Sequence, residues 1–247
     1  TGTGKTSTVG HRLVKGIMPS HKIPPHERIG MIVFLYKSGD LDQWLQWAET
    51  FGRSQDVMII GPEDENVINL LEGYHDKEAI SAVNMLMILS GLSMSGGGEQ
   101  QSEAYWEQMN RARIHRLVAL NQLSGEPMSI ATLYKLHSSA PQFAEQIGNE
   151  EFQQHSYCWQ MLAKAHERVG KDHPLFKLVE SYFVYEMPNM ADRTQSSILS
   201  MTGAILEPFI SSPLLNRLFC GDPPYSLDPM LRGKLVLLPL PLPRYDS

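Results

Sequence analysis

Cysteine is nearly absent: Cys158 and Cys220 are the only two in 247 residues. They stand far apart, in no C-x-x-C or Cys/His spacing, so a disulfide framework and a zinc site find no support in the sequence. The expected state is two reduced thiols in a cytosolic protein. The nine histidines are scattered and form no H-E-x-x-H or other metal-ligand spacing. No run approaches the ~20 apolar residues that cross a bilayer, and no signal peptide precedes the first motif. Charged residues are only 19%, with a formal net charge of -6. That balance argues against a globally basic nucleic-acid binder, although a local basic channel is invisible to such a sum. Hydrophobic residues at 42% give an ordinary folding composition rather than a disordered one. The length suits one large domain, or a core domain carrying an inserted one.

The residues that are present fall into three regions. The first, residues 1 to 74, alternates helix and strand signals. Ser7 to Ile17 reads as a helix after a Gly-rich start, and Pro24-Pro25 marks a loop. Ile29 to Tyr36 is almost continuously apolar, as a strand covered on both faces requires. Asp40 with Gln43 has capping-box spacing and opens a predicted helix to Phe51. Asp56 to Ile60 is the next strand, closed by Gly61-Pro62. Strand, helix, strand is the α/β crossover pattern.

The second region, 75 to 225, reads as almost all helix: 76–92, 103–124, 129–138, 150–169, 172–186, 193–207 and 213–219. Ser95 to Gly98 is a flexible joint, and Asp192 with Gln195 repeats the capping-box spacing. Met85, Leu89 and Leu92 share one helix face, for which core filling suffices. The third region, 226 to 247, holds one strand, Lys234 to Leu238, stopped by Pro239, Pro241 and Pro243. An α/β segment interrupted by a long helical stretch and resumed by one strand predicts a helical domain inserted in an α/β core.

The chemistry lies at the start. Thr1-Gly2-Thr3-Gly4-Lys5-Thr6 supplies the second half of G-x-x-x-x-G-K-[ST], with the motif's first Gly two places before Thr1. Glycines let backbone N–H groups approach phosphate oxygens, and the helix after them directs its N-terminus at the anion. The expected nucleotide-binding residues are Thr1, Gly2, Thr3, Gly4, Lys5, Thr6 and Ser7. Lys5 would reach the β- and γ-phosphates of ATP, and Thr6 would place its hydroxyl on Mg²⁺. The other reading is a Gly-rich turn with a surface lysine. A motor of this type also needs an acid at a strand end to hold Mg²⁺ and place water. The predicted strands run into Lys37, Gly61-Pro62 and Pro239 instead, so that acid is expected beyond Ser247, and both chain ends are expected to be truncations.

From Met31 to Gly73 the sequence MIVFLYKSGDLDQWLQWAETFGRSQDVMIIGPEDENVINLLEG resembles the second strand, helix and third strand of TraG/TraD-type coupling proteins of type IV secretion. Lys37-Ser38-Gly39-Asp40 stands for that family's Pro-Lys-Gly-Asp-like turn, and Ile68-Asn69-Leu70-Leu71 for its Asn-Pro-Leu-like segment, with Tyr36 and Leu70 departing from the prolines. Residues 103–139 are similar to helices of the family's all-α domain, and 191–209 and 233–247 to the helix and strand that return to the core. The resemblance implies a RecA-like P-loop NTPase core, here incomplete, with a large inserted all-α domain. It implies a ring ATPase, hexameric in the intact parent, with ATP at subunit interfaces and DNA through the centre. Relaxase or effector proteins would meet the all-α domain, on the cytoplasmic side of the inner membrane, with the channel reached through a segment absent here. HerA- and FtsK-type DNA motors share that core.

Three further sets of residues admit two readings each. Arg111, Arg113 and Arg116 would contact DNA phosphates or form a solvated helix face, with Glu107 pairing Arg111. Trp44 and Trp47 would stack bases or pack their shared face on the sheet. Arg193 and Arg217 have no spacing that marks them as fingers on a neighbour's phosphate.

Overall fold

The computed structural model describes residues 27–35, 37, 39–61, 68–75, 77–93, 100–220 and 233–239, with 14, 16, 18, 23 and 24. The chain is mixed α/β and divides into two compact units. One joins Thr1–Ile68 to Gly221–Ser247; the other is Asn69–Cys220.

The first unit contains a parallel three-stranded sheet. Strands β1 (Met31–Leu35), β2 (Val57–Ile59) and β3 (Leu235–Pro239) take the order β1-β3-β2, with Met31 and Val57 both in register with Leu235. The last strand in sequence is therefore the middle one in space. Its LVLL run is buried throughout, as expected of a parallel strand between two others. Pro239 is accommodated as the last residue of the ladder, opposite Leu35.

Strands β1 and β2 start later than their apolar runs because side chains claim the flanking backbone. The carbonyl of Ile29 accepts from Arg53 Nη1 at 3.1 Å, so the β1 ladder begins two residues later. Asp56 is drawn into a 3-10 turn, Ser54–Asp56, ahead of β2.

Helix α1 (Asp40–Thr50) lies between β1 and β2 in sequence. Its N-cap is Gly39 at φ 92°, in the left-handed region, rather than Asp40. Asp40 occupies the first helical position and accepts the Lys37 N–H at 3.3 Å, so the expected capping box is not formed. An acid there remains favourable to the helix dipole. Trp44 and Trp47 meet edge to face at 5.2 Å and pack against Ala48 and Leu235, which is the packing reading rather than base stacking. Of the helix expected over 7–17, positions 14 and 16 are described and helical, and Met18 N–H bonds to the Val14 carbonyl at 2.8 Å.

In the second unit the described elements are helices: α2 (Ala79–Ser93), α3 (Gln100–Ser124), α4 (Ile130–Ser139), α5 (Ala144–Ile147), α6 (Glu150–His155), α7 (Tyr157–Val169), α8 (Pro174–Glu180), a π-helical turn (Ser181–Glu186), α9 (Asp192–Leu206), α10 (Pro208–Ser211) and α11 (Pro213–Phe219). Helix α3 is the hub. Leu117, Val118, Ala119 and Leu120 are consecutive and all fully buried, so it is covered on every side. It packs against α2, α4, α7, α8 and α9.

The single helix expected over 150–169 is two. Ser156 adopts extended backbone, caps α7 by accepting the Trp159 N–H at 3.1 Å, and donates to the Ser139 carbonyl at 2.6 Å. The helix expected over 172–186 starts at Pro174 and ends in the π turn. Asp192, like Asp40, is the first helical residue rather than a cap, and Gln195 turns inward to the Gln142 and Met187 carbonyls. The unit's two ends meet: Asn69 and Cys220 form an antiparallel bridge, and Asn69 Nδ2 donates to the Met128 carbonyl at 2.6 Å.

Candidate functional site

The expected nucleotide-binding residues, Thr1 to Ser7, lie outside the described residues, as does the proposed Mg²⁺ ligand Thr6. Two residues downstream of them are placed. Val14 and Met18 are buried, at 5% and 0% exposure, in one cluster with Ala48 of α1 and Leu235, the first residue of β3. The far end of the helix expected after the Gly-Lys-Thr sequence is thus against the amino end of the middle strand.

Parallel α/β sheets bind ligands beyond the carboxyl ends of their strands. Here β1 leads to Lys37, Gly39 and Asp40; β2 leads to buried Ile60 and Gly61; β3 ends on Pro239. Glu63 and Asp64 lie outside the described residues.

The opposite, amino edge holds a polar cluster that no sequence motif marks. Arg53 is fully buried. Its Nε donates to Asp56 Oδ2 at 2.9 Å, Nη1 to the Ile29 carbonyl, and Nη2 to the Gly233 carbonyl. Arg28 Nη1 reaches the same Asp56 oxygen at 2.9 Å. Burial by itself would raise the Asp56 carboxyl, but hydrogen bonds and charge from Arg53 and Arg28 outweigh it and hold the group below its ordinary value. One guanidinium therefore ties together the entries of all three strands. Its position at the amino edge makes it structural. The i,i+3 spacing of Arg53 and Asp56 is a weak sequence signal for it.

The helical unit contains a second buried cation. Arg113 is fully buried, so it lies on no solvated face and is not available to DNA phosphates. Its Nε and Nη2 approach His137 Nδ1 at 3.3 and 3.2 Å, and Nη2 also donates to the His137 carbonyl at 3.4 Å. Nδ1 must accept, which puts the imidazole proton on Nε2. Burial first, and the Arg113 charge second, push His137 down to about 3. Arg116 sits over the Tyr182 ring at 5.8 Å with Nη1 3.1 Å from His115 Nδ1. Arg111 donates to Asn84 Oδ1 at 2.7 Å and stands 3.9 Å from Glu107, the expected helix-surface pair. The three arginines therefore belong to three different environments.

Both cysteines are free. Burial pushes Cys158 up to about 12 and Cys220 up to about 11, so neither is a thiolate nucleophile at neutral pH. Among the described residues no group of three or more His, Cys, Asp or Glu is placed to hold a metal, and no helix is long and apolar enough to cross a membrane. Arg193 and Arg217 are both exposed. No known family model, curated protein or solved structure matches this chain.

Proposed function

We propose that this chain is the ATP·Mg²⁺-binding part of a DNA-translocating motor ATPase of the coupling-protein class, which delivers DNA or protein substrates to a type IV secretion channel. Chemistry enters through Gly4-Lys5-Thr6. The supporting observation is the burial of Val14 and Met18 beside Leu235 at the start of β3. A helix running back from Met18 to Ser7 spans about 16 Å at ~1.5 Å per residue. Five residues of β3 span about the same length at ~3.3 Å each. A helix antiparallel to β3 would therefore begin level with the carboxyl ends of the strands, where a parallel sheet binds phosphate groups. Thr1 to Ser7 would wrap the β- and γ-phosphates there, with Lys5 as the phosphate cation and Thr6 as the Mg²⁺ ligand.

The long helical unit between β2 and β3, with its ends joined at Asn69 and Cys220, supports the reading of an all-α domain inserted in a RecA-like core. In the intact parent the same reading gives a hexameric ring at the cytoplasmic face of the inner membrane, with relaxase or effector substrates at the helical domain. A second reading, nucleotide or protein binding without hydrolysis by this chain, draws on the residues after the strands: Lys37, Ile60-Gly61 and Pro239 supply no acid.

Binding of a fluorescent ATP analogue with Mg²⁺ tests the proposal. Lys5→Ala is expected to weaken binding by about tenfold or more, the loss of one charge-assisted phosphate contact. Equal binding by the wild type and Lys5→Ala would overturn the motor reading. Measurable ATP hydrolysis by this chain would overturn the second.

A further inference from the structure

We infer that Ala48 is a positioning residue for the phosphate-binding end of the nucleotide site, acting through the helix that follows Gly4-Lys5-Thr6; the inference rests on the nucleotide reading above. Ala48 is one of four buried residues that form a single cluster from three parts of the chain. Val14 and Met18 come from the stretch after the Gly-Lys-Thr sequence, Leu235 opens β3, and Ala48 comes from α1. Trp44, Trp47 and Phe51 pack against the same cluster and are half-buried, whereas Ala48 is 1% exposed. Positions 44, 47, 48 and 51 follow the i, i+3, i+4, i+7 pattern of one helix face. Three of the four are large aromatics, and the most buried carries only a methyl group. A methyl at that point sets how closely the neighbouring elements approach α1, because interiors are packed without slack.

The element free to respond is the helix holding Val14 and Met18. Leu235 is fixed, since β3 is bonded into ladders with both β1 and β2. A leucine at position 48 adds three carbons to this packed cluster, and added volume in a core shifts backbone rather than fitting. Close packing passes such a shift along a helix with little loss. On the nucleotide reading, the other end of this helix carries Lys5 and Thr6, and binding groups must be held within about 0.5 Å of their working geometry. Ala48 thus controls phosphate binding from the amino end of the middle strand without touching the nucleotide.

The test is titration of the full chain with a fluorescent ATP analogue and Mg²⁺, at a temperature where circular dichroism shows every variant folded. Ala48→Leu should bind about tenfold more weakly, as a displaced binding group predicts. Ala48→Val, with two added carbons, carries the same expectation should Ala48→Leu not fold. Ala48→Leu/Met18→Ala removes as many heavy atoms as it adds and should recover most of the affinity. Arg53→Lys weakens the same unit at the amino edge of the sheet and should bind like the wild type, which separates positioning from a general loss of stability. The inference is overturned if both Ala48 variants bind like the wild type, if Arg53→Lys loses as much as they do, or if Ala48→Leu/Met18→Ala recovers nothing. Lys5→Ala keeps the two readings apart. Equal binding by Lys5→Ala and the wild type removes the nucleotide reading and this inference with it. Loss with Lys5→Ala but normal binding by the Ala48 variants removes this inference alone.

Discussion

Two arginines with similar burial have different partners, and the difference decides what their loss does. Arg53 is paired with a carboxylate and bonded to two strand-entry carbonyls. Arg53→Met would leave both carbonyls without this donor and Asp56 with Arg28 alone, at a cost of about 3–5 kcal/mol. Arg53→Lys keeps the charge but cannot reproduce the fork, so it should recover only part of that. Urea unfolding followed by Trp44 and Trp47 fluorescence, with Trp106 and Trp159 changed to Phe, isolates the sheet-bearing unit. Arg113 instead leans on a neutral imidazole. His137 has a folded value of about 3, below its ordinary 6.5, so protonation favours the unfolded chain. Its contribution is fully present above pH ~6.5 and is lost as pH falls toward 3. Between pH 7 and pH 5 the helical unit should lose about 2 kcal/mol from this group, at ~1.4 kcal/mol per pH unit. Unfolding monitored by far-UV circular dichroism at the two pH values checks this. His137→Gln should flatten the slope, and an unchanged slope would mean that folding does not lower His137.

Single elements show where local chemistry overrides periodicity. Ser156→Ala removes both the α7 cap and the bond to the Ser139 carbonyl, and should destabilise the helical unit by about 1–2 kcal/mol. Gly39→Ala meets no neighbour within 4 Å, so its cost is backbone strain at positive φ, about 1 kcal/mol. Thermal unfolding measures both. The same two residues mark how far the sequence is legible. Apolar runs and helical periodicity locate β1, β2, β3 and most of the helices, because burial of a face writes a period into the chain. Capping-box spacing misplaces the cap by one residue at Asp40 and Asp192, since an acid is favourable both as a cap and in the first turn. Periodicity puts Ser156 inside a helix because its partner, the Ser139 carbonyl, belongs to another element. Arg113 reads as part of a solvated helix face in the sequence for the same reason: its acceptor, His137, belongs to another helix. The proposed phosphate chemistry rests on the Gly4-Lys5-Thr6 sequence alone, residues that lie outside those the structure describes.

At the scale of the molecule, the order β1-β3-β2 makes the sheet depend on its last strand. β1 and β2 do not pair with each other; each is bonded to β3, and the ladder continues through Ile60 N–H to the Leu237 carbonyl. The chain must therefore complete the helical unit before the sheet can close, a long loop closure that argues for late sheet formation. The helical unit has its own core around α3 and its ends joined at Asn69 and Cys220, so its packing does not wait for β3. A chain ending at Cys220 should keep the far-UV helical signal and a cooperative unfolding transition for the helical unit. It should lose hydrogen-exchange protection at Ile32 to Leu35 and Val57 to Ile59, and Trp44 and Trp47 should become more exposed without Leu235 beneath them. A separate peptide of residues 221–247, added in excess, should restore part of that protection by filling the gap between the two strands. Protection of β1 and β2 in the shortened chain would show that they pair without β3, which they do not do in the intact sheet.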